Sequence, residues 1–120
     1  MNERPHKKLK IWHKIITLVK EIYILTKKFP KEEIYGLISQ MRRSVISIAS
    51  NLAEGSARKG TKEKIQFYLI ARGSLSELDA QVEISAELEY IQKHEYVDIE
   101  EKIDEISRML QGLIQNYEKT

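Results

Sequence analysis

Apolar residues recur along the chain at alternating spacings of three and four, the signature of amphipathic helices. The first periodic stretch covers about 9–28. Leu9, Trp12, Ile16, Val19 and Tyr23 form one stripe, and Ile11, Ile15, Leu18, Ile22 and Leu25 form a second beside it, an apolar arc wider than one neighbouring helix can cover. Phe29-Pro30 stops this helix and Pro30 suits the start of the next, read over 31–54 with Glu32 and Glu33 at the positive end of its dipole. Its core stripe is Ile34, Leu37, Ile38, Met41, Val45, Ile48 and Leu52. A stripe of small polar groups, Gln40, Ser44, Ser47 and Asn51, runs alongside. Gly55 reads as the stop, followed by an exposed basic loop over 55–61.

The third stretch, 62–93, carries Phe67, Ala71, Leu75, Leu78, Val82 and Ala86 on one face and Ile70, Ile84, Leu88 and Ile91 on another. Only Arg72, Ser76, Asp79, Glu83 and Glu87 make a polar stripe, so this helix is expected to be mostly covered. The last helix, 98–118, shows a narrow heptad seam of Ile99, Ile103, Ile106, Leu110, Leu113 and Tyr117. Four amphipathic helices with short links predict an all-α, up-down-up-down four-helix bundle, one domain over 1–120. Two of the apolar arcs exceed what the bundle interior needs. Self-association is the expected cover; lysine stems lying across the surplus are the alternative.

Composition narrows the chemistry. The absence of cysteine excludes disulfides, thiolate metal sites and cysteine nucleophiles. The longest apolar run, Phe67 to Ala71, falls far short of the roughly 18 residues of a membrane span. A soluble, cytoplasmic protein without a membrane partner is therefore expected. The net charge of +2 conceals a dipole: residues 1–64 hold 15 Lys or Arg against 6 Asp or Glu, and residues 65–120 hold 5 against 12. Such asymmetry suits an anionic partner, or attraction between copies.

The run Phe29-Pro30-Lys31-Glu32-Glu33-Ile34-Tyr35-Gly36-Leu37 is followed by Gln40, Arg42, Arg43, Ser47 and Ile48. Then come Asn51-Leu52-Ala53-Glu54-Gly55, Ala71-Arg72-Gly73-Ser74 and Glu77-Leu78. In this order and spacing the chain resembles the small bacterial four-helix-bundle proteins encoded in intervening sequences of 23S ribosomal RNA genes. The resemblance implies a homopentameric barrel. It also implies kinship with the accessory variability protein of diversity-generating retroelements, which binds nucleic acid and a reverse transcriptase. No settled biochemical role comes with it.

The motif residues have structural readings. Gly36 and Gly73 are read as helix-interior glycines at close backbone approaches. Arg42 or Arg43 is expected to pair with Glu77 or Glu54, inside the bundle or across a subunit boundary, since an unpaired buried charge is costly; a phosphate grip by both arginines is the competing reading. Better candidates for phosphate are Lys7, Lys8, Lys10, Lys14 and Lys20 on the first helix and Arg58, Lys59 and Lys62 in the loop, which would bind without sequence preference and weaken with salt. A solvated lysine face without a ligand is the plain alternative.

No catalytic pattern stands out. The loop order Gly60-Thr61-Lys62 follows a helix, unlike a phosphate-binding loop after a strand. The single Glu-x-x-His, Glu3 to His6, is split by Pro5, so neither a di-iron site nor any other cofactor is expected. No arginine precedes a histidine at the spacing of helical ribonucleases. The expectation is a non-catalytic homo-oligomer that associates with RNA or DNA through basic surfaces, with a structural or protein-binding scaffold as the rival.

Overall fold

The computed structural model describes residues 4–119; residues 1–3 and 120, including Glu3, lie outside it. Four helices, α1 (Lys10–Thr26), α2 (Leu37–Ala57), α3 (Thr61–Glu87) and α4 (Lys93–Glu118), follow a short 3₁₀ turn at Pro5–Lys8. No strand occurs among the described residues. Each helix packs on its chain neighbour and α1 closes the square against α4. Cross-helix contacts fix the directions. Arg42 on α2 meets Tyr23 and Thr26 on α1, Ser47 and Ser56 on α2 meet Ser74 and Tyr68 on α3, and Arg72 on α3 meets Gln111 on α4. Between α2 and α3 the numbers run oppositely, 47 to 56 against 74 to 68, and so do those of α1 and α4, where Lys14 and Glu21 face Glu105 and Lys102; with the short links, all neighbouring helices are antiparallel.

One core fills the square. The stripe Ile11, Ile15, Leu18, Ile22 and Leu25 is buried along its whole length, against Met41, Val45, Ile48 and Leu52 from α2, Tyr68, Leu75, Leu78 and Val82 from α3, and Ile99, Ile103, Ile106 and Leu110 from α4. The second stripe of α1 is partly covered too: Leu9, Trp12, Val19 and Tyr23 pack against this core, and His6 of the 3₁₀ turn lies edge-on to Trp12 at 4.4 Å. The expected cover of α3 fails. Ile70, Ile84 and Leu88 remain about half exposed, at 52%, 50% and 49%.

The helix ends depart from the sequence reading in four places. Helix α2 begins at Leu37, not at 31; Lys31–Glu33 forms a separate 3₁₀ turn. Here Glu33 does the capping: its Oε1 accepts from the Leu37 N–H at 3.2 Å and its Oε2 from the Tyr90 hydroxyl at 2.9 Å. Gly36 is therefore the N-cap of α2 and not a helix-interior glycine. At the other end α2 runs through Gly55 to Ala57. Gly55 is buried, and a Cβ there would lie 2.8 Å from Tyr68 Cε1 and 2.9 Å from Phe67 Cβ, so this glycine permits the close α2–α3 approach. Gly73, by contrast, has nothing within 4 Å of its would-be Cβ.

Helix α3 stops at Glu87, six residues before the expected end, and Glu89 takes a left-handed φ of 65° without being glycine. The chain then turns back through Tyr90, whose ring contacts Phe29 at 5.3 Å, and buried Ile91. Helix α4 starts at Lys93, five residues before the expected 98, where Glu95 Oε1 accepts from the Gln92 N–H at 2.9 Å.

Candidate nucleic-acid interface and association face

The antiparallel order places the N-terminus of α1, the C-terminus of α2, the α2–α3 loop and the C-terminus of α4 at one end of the molecule. The Pro5–Lys8 turn folds back onto both α1 and α2 there. The Nε2–H of His13 donates to Lys7 O at 3.2 Å and pins the turn. Lysines that are far apart in sequence are thereby collected: Lys7, Lys8 and Lys10 from the first segment stand at the same end as Arg58, Lys59 and Lys62, all exposed. His6 at this end is held below the usual histidine range, first by burial and then by the positive charges of Lys7 and Arg4.

The cations differ in freedom. Arg58 is engaged by Glu54 at 2.8 Å, one turn back, and its guanidinium lies 4.8 Å from the centre of the Phe67 ring. Lys14 faces Glu105 at 3.4 Å, with both side chains about half exposed. Lys20 is exposed on the outer face of α1, ten residues on from Lys10 and about 15 Å along the helix axis. Among the described residues no ion pair engages Lys7, Lys8, Lys10, Lys59 or Lys62. Both groups of lysines were legible in the sequence, which held no sign that the first turn folds back to join them.

Arg42 pairs with neither Glu77 nor Glu54. Its Nε donates to Thr26 Oγ1 at 3.0 Å, its Nη2 to Tyr23 O at 3.2 Å, and its charge lies 4.5 Å from the centre of the Tyr23 ring. The guanidinium thus closes the C-terminal turn of α1, where carbonyls lack helical partners and a positive charge is favoured. Glu54 is paired with Arg58 instead.

Arg43 and Glu77 are both exposed and line one groove of about 400 Å³ between α2 and α3, together with Gln40, Ser44, Ser47, Ser74 and Gln81. No ion pair joins the two charges within the chain. The groove floor is polar: Ser47 Oγ and Ser74 Oγ are 2.8 Å apart, and Asn51 Nδ2 donates to Ser47 O and Oγ at 2.9 and 3.1 Å. Gln81 Oε1 is buried there without a donor among the described residues. Exposed apolar residues near these elements are Ile46 on α2, Ile70 and Ile84 on α3 and Leu88 just past its end; others lie elsewhere, Ile24 on α1 and Val97 on α4 among them. Spacing alone revealed these stripes; that the polar motif residues share one groove required the fold.

Among the described residues no three His, Asp or Glu side chains are grouped to hold a metal ion, and no helix is long and apolar enough to cross a membrane.

A solved structure of a protein of unknown function from the S23 ribosomal protein family of Bacteroides thetaiotaomicron superimposes on the bundle with a TM-score of 0.78 at 22% identity, covering 87% of this chain and 97% of that one. At that identity the likeness establishes the shared fold. No curated protein matches the chain. The sequence profile of the 23S rRNA-intervening sequence proteins matches residues 7–112, nearly the whole bundle including the α2/α3 groove and the lysine end. The chain belongs to the 23S rRNA-intervening sequence protein family.

Proposed function

We propose that the protein is a non-catalytic, self-associating bundle that binds RNA or DNA without sequence preference through its lysine-bearing end. The observation that carries this reading is the gathering of Lys7, Lys8, Lys10, Lys59 and Lys62 at one end, exposed and without ion pairs among the described residues. Free cations release condensed counterions from a phosphate backbone, whereas cations already paired gain less. Copies join through the α2/α3 face, burying Ile46, Ile70, Ile84 and Leu88 and bringing Arg43 of one copy to Glu77 of the next. Five copies is the count the family resemblance implies.

Fluorescence anisotropy with a structured RNA fragment at about 50 and 200 mM salt tests the binding. Affinity should fall steeply between the two, and K59Q/K62Q should flatten the logarithmic salt dependence by up to about 2. No affinity at the lower salt refutes the reading, and an unchanged slope removes the loop from it. Sedimentation tests the assembly. A stable species of 14.1 kDa at micromolar concentration refutes it, and Ile84→Asp should release that species from a larger one.

A further inference from the structure

The seam between α3 and α4 contains a contact that side-chain donors leave unsatisfied. Asp79 on α3 and Glu100 on α4 stand within hydrogen-bonding reach of each other, and Asp79 Oδ1 and Glu100 Oε2 are both buried with no N–H or O–H donor among the described residues. Two ionised carboxylates so placed repel in surroundings that screen them weakly.

The neighbourhood offers no relief. From α3, Glu83 adds a second negative charge beside Asp79, and on α4 Asp104 adds a third. Tyr96, also on α4, is surrounded by Glu100, Glu83, Asp79 and Glu87, and its hydroxyl is held above its usual range by burial and these charges. The charged groups that α1 sends to α4 are engaged on the flank turned toward α1: Lys14 with Glu105, Glu21 with Lys102, and Lys28 with Glu95. Lys102, two residues from Glu100, is further tied to Asp98 at 2.7 Å. Helix α2 does not pack against α4.

We propose that Asp79 and Glu100 share one proton across the α3–α4 seam at neutral pH, and that its loss to alkaline solvent loosens α4 from α3, making the seam a pH-sensitive latch. In the closed state the protonated Glu100 carboxyl donates its O–H to the Asp79 carboxylate, which supplies the donor that the two buried oxygens lack. Burial first, and then the Asp79 charge, push the Glu100 carboxyl up to about 8. The sign follows from proton counting. The folded chain holds a proton on Glu100 that the unfolded chain releases above about 4.5, so stability is full below that value and declines as pH rises toward 8. Between pH 6 and pH 9 the folding equilibrium constant should fall, by less than the roughly hundredfold that the full shift would give, because Glu100 is partly exposed and solvent screens it.

The test is urea unfolding of the full chain and of E100Q and D79N at pH 6 and pH 9, at one protein concentration so that association is held constant. Each amide can donate to the remaining carboxylate at any pH, so both variants should fold, lose most of the pH dependence and exceed the native chain in stability at pH 9. Subtracting the variant profile from the native one cancels every contribution the two chains share. Carboxyl-carbon NMR should place the Glu100 titration near pH 8. Identical pH profiles for the native chain and E100Q, or a Glu100 midpoint near 4.5, would overturn the latch. Neither result bears on nucleic-acid binding.

Discussion

Replacing Gly55 with alanine places a methyl group where the structure has no room, and the same change at Gly112 places one in open space. The added Cβ at 55 meets Tyr68 Cε1 at 2.8 Å and Phe67 Cβ at 2.9 Å, distances that real Cβ atoms essentially never show, and Tyr68 Cδ1 at 3.0 Å. Relief is difficult. Tyr68 is almost wholly buried, and its hydroxyl lies 3.0 Å from Ser56 Oγ, so swinging the ring away breaks that hydrogen bond. Moving the Phe67 Cβ means moving α3 itself. Overpacking of this kind costs about 1–3 kcal/mol, while alanine in a helix interior gains about 1 kcal/mol over glycine. The net expectation for Gly55→Ala is a loss of up to about 2 kcal/mol. Gly112→Ala, with nothing within 4 Å, keeps only the gain and should stabilise by up to about 1 kcal/mol. Urea unfolding followed by circular dichroism reads both. A Gly55→Ala chain as stable as Gly112→Ala would refute the claim that Gly55 sets the α2–α3 approach.

Arg42→Ala should destabilise by about 1–2 kcal/mol, because Tyr23 O and Thr26 lose a charged donor at the C-terminus of α1. Arg42→Lys should recover only part of this, since an ammonium cannot serve both acceptors in a plane and stack on the Tyr23 ring; full rescue in urea unfolding would show that charge alone matters. Glu95→Ala should cost about 1 kcal/mol by removing the acceptor of the Gln92 N–H. The Glu95 carboxyl is held below its usual range, by that backbone N–H first and by Lys28 second. Its contribution is therefore complete above the unfolded carboxylate range and is lost as pH falls through the lowered folded value. A native acid-unfolding profile between pH 6 and pH 2 that matches the Glu95→Ala profile would refute this.

The parts of the fold that repeat were legible, and those made by single long-range contacts were not. The α1 stripe from Ile11 to Leu25 is buried at each of its five positions because a helix has only to keep its period to keep its face. On α4 the heptad reading holds for Ile99, Ile103, Ile106 and Leu110 and then drifts. Ile114 is buried while Leu113 and Tyr117 are half covered. The end of α3 carries no glycine or proline. It is imposed by Tyr90 reaching Glu33 and Phe29, partners nearly sixty residues away. Arg42 misled for a related reason. A sequence shows which carboxylates exist, but not which backbone carbonyls a helix end leaves without partners.

The α2/α3 face, weighed energetically, offers a modest apolar contact to a second copy. Ile46, Ile70, Ile84 and Leu88 are each about half exposed, and covering such a residue completely contributes about 1 kcal/mol, so the four together contribute about 4 kcal/mol. A pair joined face to face covers these residues on both copies, about 8 kcal/mol, against about 4–15 kcal/mol that association costs in lost freedom, so the apolar contact is marginal by itself. In a ring, each copy donates one surface to one neighbour and a different surface to the other, and closure gives every copy two contacts. Arg43 and Glu77 line one groove and have no ion-pair partner among the described residues, so a copy seated there would meet both charges. Copies set side by side along their 45 Å axes would also bring the lysine-bearing ends to a common rim. Such a rim turns a weak cationic patch into a multivalent one, for which the second contact with a phosphate backbone is intramolecular.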